Sequence, residues 1–146
     1  MHDSVEDMAP ELRPWLRNEI ERTLDAKVLA LVDDLTDDSP VHWPSIERKE
    51  RHMARIAKAP WAVKVIELAD LTASMMEGPA PEWTPLYAAG YLHQRTKIVN
   101  QVLQSSSAVL AGRYHNAMGQ PVWQSALKQV LSNGACSVDS IGLPPF

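Results

Sequence analysis

The sequence predicts an all-α fold, and three observations predict it. Apolar residues recur every three or four positions in several separate segments, which is the spacing of one helix face. Prolines stand where those segments begin, and Gly134 follows the last of them. No segment alternates apolar and polar residues over the length of a strand. With 146 residues the chain can bury a core without disulfide or metal staples. We expect one helical domain over residues 1–134 and an irregular C-terminal tail over residues 135–146.

Taken in order, the clearest helix is expected from Glu11 to Val32, where Leu12, Leu16, Ile20, Leu24, Val28 and Leu31 keep the helical spacing. Asp33 to Trp43 holds four aspartates, Ser39 and Pro40, a composition that favours turn and solvent, and is expected to be a loop. Pro44 then opens a charged surface helix to Lys58, and Pro60 opens the most apolar one, which runs to about Met76. After the break at Gly78, Pro79 and Pro81, Thr84 is placed as an N-cap with Pro85 at the first helical position. The long helix that follows is expected to bend or split near Ser105 to Ser107, and a last helix spans about Pro121 to Ser132.

Composition excludes several function classes. A formal net charge of −4 leaves no broad basic surface for a nucleic acid polymer, although a small phosphorylated ligand remains compatible with a locally bound divalent metal. No apolar run approaches the ~20 residues that cross a bilayer. The single cysteine, Cys136, cannot form an internal disulfide, and no basic-then-apolar leader is visible, so a cytoplasmic protein is expected.

Two features carry chemistry. The run His2-Asp3-Ser4-Val5-Glu6-Asp7 concentrates metal-ligating and proton-transfer side chains. In a helix, His2 with Glu6 and Asp3 with Asp7 would stack at i,i+4 spacing, a donor set suited to a divalent metal with a carboxylate base beside it. The alternative is an acidic helix start favoured by the helix dipole. The second feature is Asp70, in the middle of the most apolar helix, where a carboxylate is either paired or metal-bound if buried, or lies on an exposed strip. The cluster Arg48, Lys49 and Arg51 reads either as a solvated face or as a phosphate contact. His42, His52, His93 and His115 read as solvated or capping side chains, and the five tryptophans as covers of a core edge.

From residue 2 to about residue 76 the chain resembles the HD superfamily of metal-dependent phosphohydrolases, and within it the RelA/SpoT-type hydrolases of guanosine alarmones. The matching residues are His2-Asp3 with Glu6-Asp7, Val28 to Thr36, Glu47-Arg48-Lys49 and Leu68-Ala69-Asp70, in the family's order and separation. The resemblance implies an HD-domain-like helical bundle in which His2, Asp3 and Asp70 hold a metal, usually manganese. By the same resemblance Glu6 and Asp7 orient or deprotonate the attacking water, and the substrate is a nucleotide pyrophosphate. The family places a further histidine ligand and basic substrate-gripping residues upstream of His-Asp, so the bundle is expected to be incomplete at its N-terminus, with Met1 either an internal methionine of a longer frame or the start of a gene that has lost its first helices. Glu67, Leu71 and Ser74 stand where the family usually has lysine, arginine and asparagine, which leaves Ser74 as the substrate-binding candidate at that position. The alternative is a non-catalytic helical interaction module whose exposed apolar flank pairs with a second copy.

Overall fold

A computed structural model describes Val5 and residues 8–36 and 45–132; within these, every regular element is helical. A 3-10 turn at Pro10–Leu12 leads into α1 (Arg13–Thr23), α2 (Ala26–Leu35), α3 (Ser45–Lys58), α4 (Trp61–Glu77) and α5 (Pro85–Ile98). A π-helical turn at Val99–Leu103 follows, then α6 (Ala108–Met118) and α7 (Pro121–Ser132). The fold is all-α, as the periodicity predicts. The chain divides into two compact units, residues 1–63 and 64–146. No helix among the described residues is long and apolar enough to cross a membrane.

In the first unit the expected single helix from Glu11 to Val32 is two helices. The apolar spacing runs across the break because both helices bury the same stripe: Ile20 and Val32 share a core cluster with Val5, and Leu16, Val28 and Leu29 pack against it. In one straight helix Ile20 and Val32 would lie about 18 Å apart along the axis and could not meet. The break is made at Asp25, whose backbone adopts φ 151° and whose carboxylate accepts the Val28 N–H at 2.9 Å, capping α2. Across the two helices Arg17 forms a fork with both carboxylate oxygens of Asp33, one arm at 2.6 Å. That contact draws Asp33 into α2, where a loop is expected from composition. Helix α2 ends only after Leu35, closed by Thr36, whose hydroxyl and N–H both donate to the Val32 carbonyl at 2.7 and 2.9 Å. Residues 37–43 lie outside the described ones.

In the second unit α4 turns Leu68, Leu71, Thr72 and Met75 inward, a stripe at i, i+3, i+4 and i+7. The principal helix pair is α5 with α7. The buried residues of α5 include Ala88, Ala89 and Gly90, and those of α7 are Trp123, Ala126 and Val130. Thr84 caps α5 as expected, accepting the Tyr87 N–H at 3.2 Å. The serine run divides the next helices as expected too. The Ser106 hydroxyl donates to the Leu103 carbonyl at 2.6 Å, and Ser107 caps α6 by accepting the Leu110 N–H at 3.3 Å. The π-helical turn just before it, with the Gln104 N–H reaching back five residues to Val99, has no counterpart in the sequence reading. Trp123 corrects the expectation for tryptophans: it is fully buried, and its indole N–H donates to the Met75 carbonyl at 2.9 Å.

Candidate functional site

His2, Asp3, Glu6 and Asp7 lie outside the described residues. Val5, in the middle of that run, is 2% exposed within the core cluster of the first unit.

Asp70 occupies the exposed strip of α4, together with Ile66, Ala69, Ala73 and Met76. Of the two alternatives open for Asp70, a buried carboxylate or one on an exposed strip, the structure shows the second. The helix's buried carboxylate is Glu67, at 5% exposure. A spacing of three residues turns a helix by about 300°, which is enough to move a carboxylate from the core flank to solvent. Ser74 is half-buried, and its carbonyl accepts the N–H of Gly78 at 3.3 Å as α4 ends. Gly78 takes φ +86°, a conformation that closes the helix and that residues with a side chain rarely adopt. Among the described residues no group of three or more His, Cys, Asp or Glu side chains is placed to share a metal ion.

Two of the histidines expected to be solvated or capping, His52 and His115, are engaged locally, and His42 lies outside the described residues. His52 Nδ1 accepts from the Arg55 guanidinium at 3.1 Å, and His115 Nε2 meets Asn100 Oδ1 at 3.0 Å while its ring stands edge-on to Tyr114. Tyr114 is fully buried, its hydroxyl 3.1 Å from Thr96 Oγ1. Burial pushes its phenol up to about 12, against which the Thr96 hydrogen bond acts in the lowering direction.

One grouping in the second unit was not visible as a site in the sequence. Trp83, Tyr87, Tyr91 and Arg95 stand at intervals of four along the start and face of α5. The Trp83 ring lies 4.6 Å from Tyr87 and 4.9 Å from Tyr91 in tilted contacts, and the Arg95 guanidinium sits 4.9 Å from the Tyr91 ring centre. Tyr91 is in turn stacked at 6.2 Å with buried Trp123, which fixes the ladder to the core. Burial, with Tyr91 adding to it, raises the Tyr87 phenol above its ordinary range, so Tyr87 is neutral at physiological pH. Trp83 also lines an open groove of about 480 Å³ with Pro79, Pro81, Ala88, Val122 and Ala126. Aromatic faces beside a guanidinium are suited to stacking a planar ring and to pairing with an anion. The i,i+4 recurrence of aromatic residues from Trp83 is the sequence signal for this ladder; each ring taken singly reads as a core cover.

Comparison with protein-family models, curated proteins and solved structures gave no match to this chain.

Proposed function

We propose that the chain is a metal-dependent phosphohydrolase of the HD type, acting on a nucleotide pyrophosphate. The reading is supported by the ordered residues His2-Asp3, Glu6-Asp7 and Leu68-Ala69-Asp70, and the observation that carries it is their order and separation along the sequence. One imidazole with the carboxylates of Asp3 and Asp70 suits a divalent ion such as manganese. His2, Asp3 and Asp70 are the residues that would hold the metal, which when bound would supply positive charge to favour ionisation of water and offset charge growing on phosphorus. Glu6 and Asp7 are the groups that would orient the attacking water and take its proton. The Trp83, Tyr87 and Tyr91 ladder with Arg95 supports the nucleotide part of the reading, because a nucleobase stacks on such faces.

The test is calorimetric titration of manganese, followed by release of pyrophosphate from a guanosine alarmone. Asp70→Asn is expected to abolish the manganese isotherm and turnover while changing stability by no more than about 0.5 kcal/mol, as an exposed substitution does. An unchanged isotherm in the variant would remove Asp70 from the site.

A second reading, a non-catalytic helical module that pairs with a second copy, is favoured by the apolar members of the same strip. Ile66 is 38% and Met76 60% exposed, with Ala69 and Ala73 between them. A concentration-dependent dimer that Met76→Glu dissociates, in a chain that takes up no manganese, is the outcome this second reading expects.

A further inference from the structure

The open groove that Trp83 lines is built within the second unit. Pro121 and Val122 bring it the start of α7, Pro79, Pro81 and Trp83 come from the connection before α5, and Pro85 from the first turn of α5. Proline has no backbone N–H, so these positions present apolar rings and no donors. Ser125 and Gln129 are the hydrogen-bonding side chains that α7 adds, and both are exposed. Gln129 Nε2 donates to Ser125 Oγ at 3.5 Å, a long contact, and the amide keeps a second N–H for another acceptor. Among the described residues no ionisable side chain lines the groove; Glu82 and Lys128, its charged neighbours in sequence, are exposed and do not line it.

The chain itself carries a segment of matching chemistry. Residues 133–146 follow α7 and lie outside the described ones. From Ser140 to Phe146 they hold no ionisable side chain and are mostly apolar: Ile141, Leu143, Pro144, Pro145 and Phe146. Docking such a run in an uncharged groove strips no charge of its hydration. Two successive prolines favour polyproline II geometry, the form in which peptides enter aromatic-lined grooves at small entropic cost. Gln129 lies one helical turn before Ser132, where α7 ends. The eight residues 133–140 reach up to about 27 Å, against about 12 Å of α7 from Gln129 back to Pro121. A short tether holds the segment at an effective concentration on the order of millimolar, so weak contacts suffice to seat it.

We infer that residues 141–146 dock as an intrachain strap in this groove, with Leu143, Pro144 and Pro145 against Trp83 and a backbone carbonyl accepting from Gln129. The strap covers the ring that heads the aromatic ladder and so controls access to it. The inference needs neither a metal nor a nucleotide, and its failure is separate from failure of the hydrolase reading.

The test is thiol pairing in the full chain. Cys136→Ser removes the native thiol, and Ser125→Cys in the groove is combined with Gly142→Cys in the strap. Equilibration in a glutathione redox buffer then reads the effective concentration of one thiol at the other. An intramolecular disulfide is expected, with an effective concentration roughly 10-fold above that of the same chain carrying Leu143→Asp and Pro144→Asp, because charge at those positions keeps the segment in water. Val122→Asp should lower it by a similar factor from the groove side. Val122 is 45% exposed at the second residue of α7, where the helix dipole favours a carboxylate, and far-ultraviolet circular dichroism of each variant verifies the helices. A synthetic peptide spanning Ser140 to Phe146, added at millimolar concentration, should reduce the intramolecular disulfide by competition. Disulfide-linked dimers in place of the intramolecular bond at micromolar protein mean that a second copy's segment fills the groove, and they overturn the inference. An effective concentration that neither the strap variant nor Val122→Asp changes overturns it as well, since the tether alone then accounts for the pairing.

Discussion

Asp25 does two opposing things at one position. Its carboxylate satisfies an N–H at the start of α2, while its φ of 151° is a conformation that favours glycine. Asp25→Ala removes the cap and keeps the backbone cost, so a loss of about 1–2 kcal/mol is expected; Asp25→Gly relaxes the backbone and should cost only a few tenths. Urea denaturation of the two variants checks the order, and equal losses would show that backbone relief contributes nothing. Tyr114 gives a pH-dependent counterpart. Its ordinary value of 10.0 is raised to about 12 in the fold, so above pH 10 the unfolded chain loses the proton first. The stability due to the neutral buried phenol is whole below pH 10 and is lost as pH rises from 10 towards 12, at about 1.4 kcal/mol per pH unit. Tyr114→Phe should cost about 1 kcal/mol at pH 7 for the Thr96 hydrogen bond and flatten that alkaline slope. Denaturant midpoints at pH 7 and pH 11 measure both.

At the scale of elements, the indole of Trp123 joins α7 to α4 through the Met75 carbonyl. Trp123→Phe leaves that buried acceptor empty and should cost about 1–3 kcal/mol, more than an exposed tryptophan such as Trp61, where little change is expected. Thermal unfolding of the two variants makes the comparison. Helix identity was legible in the sequence because each helix buries one stripe and begins at a proline or a capping residue, as Thr84-Pro85 and Pro121 do. The break at Asp25 was not, since α1 and α2 bury one shared core and their apolar residues stay in phase across it. The extension of α2 over Asp33 was hidden for a related reason. A carboxylate counts towards a loop in composition, but a fork with Arg17, sixteen residues earlier, holds it on a helix. Exposure of Asp70 against burial of Glu67 turns on the azimuth of α4, which period alone leaves free when apolar and small residues lie on both faces. The aromatic ladder has an i,i+4 spacing in the sequence, but Trp83 lies before the start of α5, so helical period alone does not bring its ring onto the helix.

For the molecule as a whole, the chemical reading joins residues of very different standing. Asp70 is anchored by a helix whose other face is core, whereas His2, Asp3, Glu6 and Asp7 lie outside the described residues. A net charge of −4 disfavours polyanions unless positive charge is concentrated locally, which a bound divalent ion would do. The measurement that tests the central proposal most directly is a calorimetric manganese titration of the chain and of its Asp70→Asn variant at one pH and salt. Saturable binding by the chain that is lost in a variant of unchanged stability is the predicted result. Absence of binding by the chain, or identical isotherms for both proteins, would contradict the proposal that Asp70 helps to hold a catalytic metal.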